Sequence, residues 1–197
     1  MRWSSQLISW IATFYVARIL VPADYGNPFA GDPVPAWHDE AAHAAVDDEA
    51  ALATLKAQAG KAPLDASKLG AFGFCFGGST VLELARSGAD VAGVVSLHGG
   101  LAPGTKSQTA ASIKAPVLVL NGADDKATPD ADILAFEKEM DAARADWQFV
   151  DFSGAVHCFA EPSAGNDPAS NCRYDARAAK RAYRMMDDFF RERFAAK

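Results

Sequence analysis

The string Gly73-Phe74-Cys75-Phe76-Gly77-Gly78 constrains this chain more than any other. An apolar run, Lys68 to Gly73, leads into it, and a helical pattern, Ser79 to Ser87, leads out. A strand that turns sharply into a helix with a nucleophile at its apex is a nucleophile elbow, usually written with serine. The apex residue is held in a strained backbone conformation, and the flanking glycines leave room where strand and helix approach each other. Here the apex is cysteine, whose thiolate is a stronger nucleophile than a serine hydroxyl and is favoured at a helix N-terminus.

Two partners follow in the order nucleophile, acid, histidine. Ala115 to Leu120 is apolar throughout, the pattern of a strand buried on both faces. It ends in Asn121-Gly122-Ala123-Asp124-Asp125, with Pro129 beyond. The pattern predicts a helix over Asp130 to Ala143 and a strand over Trp147 to Phe152, which breaks at Ser153-Gly154-Ala155-Val156-His157. Parallel sheets keep their chemistry at the carboxyl ends of their strands. The spacing therefore predicts a Cys75–His157–Asp125 relay. His98 ends a further strand, Val91 to Leu97, and is either the rival base, at the pocket floor, or a packed structural histidine. Alone, Cys75 would read as a small buried hydrophobe and His157 as a strand-end histidine; the ordered set of three favours catalysis.

Bulk properties agree. The chain has 197 residues, half of them apolar, enough for one domain with a sizeable core. Alternation of β and α patterns from Ala71 onward predicts an α/β fold, with a mostly parallel sheet and helices on both faces. A segment from Ala41 to Ala59 reads as an amphipathic covering helix. The last helix, Tyr174 to Phe194, carries Ala178, Ala182, Met185, Met186, Phe189 and Phe190 as a core stripe. A net charge of −6 argues against nucleic acid as a partner. Leu7 to Val21 is too short to span a membrane, and a signal peptide ending near Ala23 would remove a strand the fold needs. Asp124, Asp125, Asp130 and Asp132 fit no Ca²⁺ loop, and no Cys/His spacing suits zinc. Asp130 and Asp132 suit a helix N-terminus, His38 and His43 a polar exposed stretch. Neither cofactor nor metal is expected.

These motifs, with Ala92 to Gly100 and Gly154-Ala155-Val156-His157-Cys158-Phe159, resemble the dienelactone hydrolase family of the α/β-hydrolase superfamily, from about Tyr15 to the C-terminus. The resemblance implies a cofactor-free, cysteine-dependent hydrolase of esters and lactones. It assigns Cys75 as nucleophile, His157 as general base and Asp125 as the acid that orients it. Asp125 is preferred to Asp124 because the family's acid stands three residues after a glycine and four before a proline, as Gly122, Asp125 and Pro129 do. Phe76, through its N–H, Phe74 and His98 are expected around the oxyanion and the substrate.

The departures from the family carry expectations too. Ala23-Asp24-Tyr25-Gly26 resembles the end of the family's fourth strand, so earlier strands lack counterparts, and residues 1–22 form an atypical start. That start reads as a helix or irregular segment, Ser4 to Thr13, and a strand, Phe14 to Val21. Three arrangements are open: this strand closes onto the elbow strand, another chain fills the gap, or the sequence is part of a longer one. One oxyanion donor has no identifiable source, a loss that typically costs on the order of 10²–10³ in rate. The family's glutamate beside the resting cysteine is also missing. Where the family's founding enzymes hold a substrate carboxylate with an arginine, four residues after the histidine, this chain has Glu161, so an uncharged ester fits better than a dienelactone.

Cys158 and Cys172 flank a loop rich in Pro, Gly, Ser, Asn and Asp. Either they close it with a disulfide, stabilising by about 3 kcal/mol, or both are free thiols. A cytoplasmic setting is expected, and a periplasmic one if Cys158 and Cys172 form the disulfide. The main functional expectation is covalent acyl transfer on a small ester or lactone. The alternatives are an impaired hydrolase fold with a binding or assembly role, and a redox-sensing thiol. The last is disfavoured because an apex residue should face a substrate pocket rather than another thiol. An incomplete sheet exposes strand edges, so a homo-oligomer is expected.

Overall fold

The structure is a computed structural model describing residues 50–58, 61, 65–104 and 113–195. The expectations for Ser4 to Thr13, Phe14 to Val21, Ala23 to Gly26, His38, His43 and most of the Ala41 to Ala59 helix lie outside the described residues; residues 50–56 are helical.

Four strands, β1 (Ala71–Phe74), β2 (Val94–Leu97), β3 (Val117–Gly122) and β4 (Trp147–Phe152), pair in parallel in the order β1-β2-β3-β4. Helix α1 (Phe76–Arg86) follows β1, α2 (Asp130–Ala143) lies between β3 and β4, and α3 (Ala176–Ala195) ends the described chain. This is the α/β-hydrolase architecture expected. The bounds of α2 and β4 coincide with the sequence expectation. The elbow strand instead runs to Phe74, and its helix starts three residues before Ser79, taking Gly77 and Gly78 into its first turn.

Strand alternation divides the core in two. Val94, Val117 and Val119 face Val81, Leu84 and Ala85 of α1 with Phe136 and Met140 of α2. Their neighbours Val95, Leu97, Leu118 and Leu120 face Ala178, Ala182, Met186, Phe190 and Phe194 of α3. Both faces are covered, which is why these strands read as continuous apolar runs. The α3 stripe differs slightly from expectation: Met185 and Phe189 pack at its margin, partly buried, and Phe194 joins the core.

One buried polar cluster locks the α1–α2 face. Arg86, at 1 % exposure, donates two hydrogen bonds to the Glu139 carboxylate at 2.7 and 2.8 Å. It donates further to Glu83 at 2.7 Å and to the Leu101 carbonyl at 2.7 Å. The charge is fully committed, so its burial is tolerated.

Candidate active site

The sheet register brings the first two site residues together. Phe74 pairs with Leu97, so Cys75 and His98 each stand one residue past a paired position, side by side at the carboxyl end. Cys75 has φ 49° and ψ −120°, the sharp turn expected of an elbow. A Cβ on Gly73 would overlap the Gly77 carbonyl, and one on Gly78 would come within 2.9 Å of the Gly99 backbone. Those two glycines are sterically required. Gly77 is not: a Cβ there would meet nothing within 4 Å.

Asp125, beyond β3, and His157, beyond β4, meet at 2.7 Å between Oδ2 and Nδ1. Asp125 also accepts hydrogen bonds at Oδ1 from the Ala127 amide at 2.8 Å and the Asn171 side-chain amide at 3.1 Å. Burial alone would raise the carboxyl pKa. The hydrogen bond and charge of His157, with the two amides, outweigh burial and hold it below the ordinary value. A carboxylate on Nδ1 fixes the proton there and leaves Nε2 as the basic atom. A ring nitrogen of His157 lies within 4.8 Å of Cys75 Sγ. Asp124 has no part in this pairing and is exposed.

His98 is fully buried, with φ 43°. Its Nδ1 accepts the Cys75 backbone N–H at 3.3 Å and lies 3.3 Å from Cys75 Sγ. Burial, then the charge of His157, push its pKa down to about 3, which makes it a poor base. The Phe74 ring packs 5.9 Å from His98 and 6.3 Å from Tyr183. Phe76 opens α1, so its amide stands at the helix N-terminus directly after Cys75.

Two site residues were misjudged or missed from sequence. Glu161 Oε1 lies 3.5 Å from Cys75 Sγ and 3.7 Å from His98 Nε2. The carboxylate beside Cys75 thus comes not from the family's glutamate position but from the loop after His157. Asn171 was overlooked; its only signal was its place beside Cys172 in a loop that must fold back over Asp125. Cys158 and Cys172 are joined as a disulfide, and an isolated parallel bridge pairs His157 with Cys172. The loop therefore pins His157 and delivers both Glu161 and Asn171. Cys75 Sγ is 3.9 Å from Cys158 Sγ, a disulfide sulfur rather than a second thiol.

Burial raises the Cys75 thiol well above its ordinary pKa, and the Glu161 charge and hydrogen bond add to this. At rest the thiol is protonated. Cys75, His98 and Glu161 present ligand atoms within 4.8 Å of one another. The His98 Nδ1 lone pair already accepts a backbone N–H, however, so the set fits a hydrogen-bonded thiol better than a metal centre. No helix among the described residues is long and apolar enough to cross a membrane.

The model of the dienelactone hydrolase family matches residues 34–194. Uncharacterized protein K02A2.1 of Caenorhabditis elegans is 36 % identical over 149 residues, 75 % of this chain and 92 % of that protein. The "Putative carboxymethylenebutenolidase" of Methylorubrum extorquens is 35 % identical over 153 residues, 74 % of this chain and 49 % of its own length. Among solved structures, the dienelactone hydrolase-like promiscuous phosphotriesterase P91, from metagenomic libraries, superposes with a TM-score of 0.68 at 39 % identity. That match covers 77 % of this chain and 61 % of P91. The chain thus spans about half of the Methylorubrum protein and under two thirds of P91. With the family model covering most of its residues and the elbow fold beneath it, the chain belongs to the dienelactone hydrolase family of α/β-hydrolases.

Proposed function

We propose that the protein hydrolyses carboxylic esters or lactones through Cys75, His157 and Asp125, by a covalent acyl-enzyme. The observation that carries this reading is the 2.7 Å His157–Asp125 pair set beside a cysteine on a strained elbow. The thiol proton turns from Glu161 to His157 Nε2, and Asp125 stabilises the imidazolium. The Cys75 sulfur attacks the carbonyl carbon, and the oxyanion accepts from the Phe76 N–H. The alcohol leaves with the proton from His157. Water, deprotonated by His157, then cleaves the thioester and releases the acid.

The substrate class follows from Glu161. A carboxylate 3.5 Å from the nucleophile opposes an anionic acyl group, so uncharged esters are the better substrates. The likeness to P91 places an uncharged phosphotriester in the same test panel. The Cys158–Cys172 disulfide supports an oxidising compartment over the cytoplasm. Self-association into a homo-oligomer is part of the proposal, since sheet edges need cover; light scattering that finds a monodisperse monomer contradicts it.

Hydrolysis of a short-chain p-nitrophenyl ester by the protein, beside Cys75→Ala, tests the reading. Turnover lost in the variant supports it. A well-folded protein without turnover points instead to the binding or assembly role.

A further inference from the structure

Three sulfurs meet at this site, and the hydrolytic mechanism uses one. Cys75 Sγ stands 3.9 Å from Cys158 Sγ, whose own bond runs to Cys172. Cys158 carries no hydrogen, so the contact is a thiol against a disulfide sulfur. Cys158 is also held at φ 58°, one of three site residues, with Cys75 and His98, among the four positive-φ non-glycine residues described. Such backbone strain persists where the surroundings hold a residue in place.

We propose that Cys75 and the Cys158–Cys172 disulfide form an exchange pair that reversibly removes the nucleophile. Disulfides rearrange by attack of a thiolate on one sulfur with departure of the other. The Cys75 Sγ–Cys158 Sγ bond forms, the Cys158–Cys172 bond breaks, and Cys172 leaves with the electron pair. The proton lost by Cys75 ends on Cys172. One disulfide and one thiol exist before and after, so neither oxidant nor reductant is consumed. Cys158 is the sulfur attacked because it is the one in reach, and Cys172, half-buried, is the one released.

Two consequences reach the hydrolytic site. The nucleophile is capped, and the covalent tie from Cys158 to the Asn171–Cys172 segment, which bonds Asp125 and bridges His157, is cut. The groups facing Cys75 restrain the step. Glu161 and neutral His98 flank the thiol, a ring nitrogen of His157 lies within 4.8 Å of it with Asp125 bonded to that ring, and Tyr183 of α3 is near enough to feel the Glu161 charge. With the thiol held protonated, exchange is slow near neutrality and accelerates with pH.

The experiment is disulfide mapping of the full chain, incubated without reductant from about pH 6 to about pH 9, quenched in acid and labelled in denaturant. The expected result is labelled Cys172 together with a Cys75–Cys158 cross-linked peptide. The initial rate should rise about tenfold per pH unit while the thiol stays below its pKa. Cys75→Ser should keep the Cys158–Cys172 bond at every pH. Labelling of Cys75 alone throughout, with only the Cys158–Cys172 link, overturns the proposal. A Cys75–Cys172 link also overturns it, because that product comes from unfolding and scrambling. None of these readouts depends on ester turnover, so the proposal stands or falls apart from the hydrolase reading.

Discussion

Glu161 Oε1 lies 3.5 Å from Cys75 Sγ, so the Cys75 thiol faces a carboxylate. Burial is the first cause of its raised pKa, and the Glu161 charge and hydrogen bond are the next. Glu161→Gln removes a negative charge that opposes the thiolate, so the pKa must fall. Alkylation of Cys75 by iodoacetamide at neutral pH should therefore speed up, by about tenfold for each unit of fall. An unchanged rate would mean that Glu161 does not govern the thiol.

Asn171 donates to the Asp125 oxygen that His157 leaves open. Hydrogen bonds to charged groups contribute about 1.5–3 kcal/mol. Asn171→Ala should lower kcat by roughly tenfold or more, with KM little changed, because the loss falls on orientation of His157. A change confined to KM contradicts this role.

Asp125 sets an acid limit. Its folded-state pKa lies below the ordinary value, so its contribution to stability is present above about pH 4 and is lost as the pH falls through the folded pKa. Urea unfolding of Asp125→Asn should therefore lose part of the wild-type decline in stability in that acid range. The same variant should lose kcat by about 10⁴-fold, since an amide can hold the wrong His157 tautomer.

Arg86 is a test of the fold apart from the chemistry. Its guanidinium is committed to Glu83, Glu139 and the Leu101 carbonyl. Arg86→Ala leaves two carboxylates uncompensated and should destabilise by about 3–5 kcal/mol in denaturant unfolding. A shift below about 1 kcal/mol would show that the cluster relaxes into water.

What was legible in the sequence follows physical lines. Helix α2 and strand β4 were bounded correctly because Pro129 and Ser153-Gly154 punctuate clean patterns. The start of α1 was placed late because glycine is poor inside a helix, yet Gly78 is needed there for close approach to Gly99. Cys75, Asp125 and His157 stand at strand ends, where sequence order and parallel topology bring residues together. Glu161 and Asn171 lie in an irregular loop with no period to read. Their positions depend on closure by the Cys158–Cys172 bond, which the sequence left open. The same loop sets a disulfide sulfur 3.9 Å from Cys75, a contact with no signal in the sequence.

The most direct test of the account is the mass of the Cys75 peptide after mixing with a short-chain p-nitrophenyl ester and rapid acid quench. An acyl adduct on Cys75 is expected in the wild type, and both adduct and turnover should be absent in Cys75→Ala. Turnover that persists in Cys75→Ala, or proceeds in the wild type with no acyl group ever found on Cys75, would contradict it.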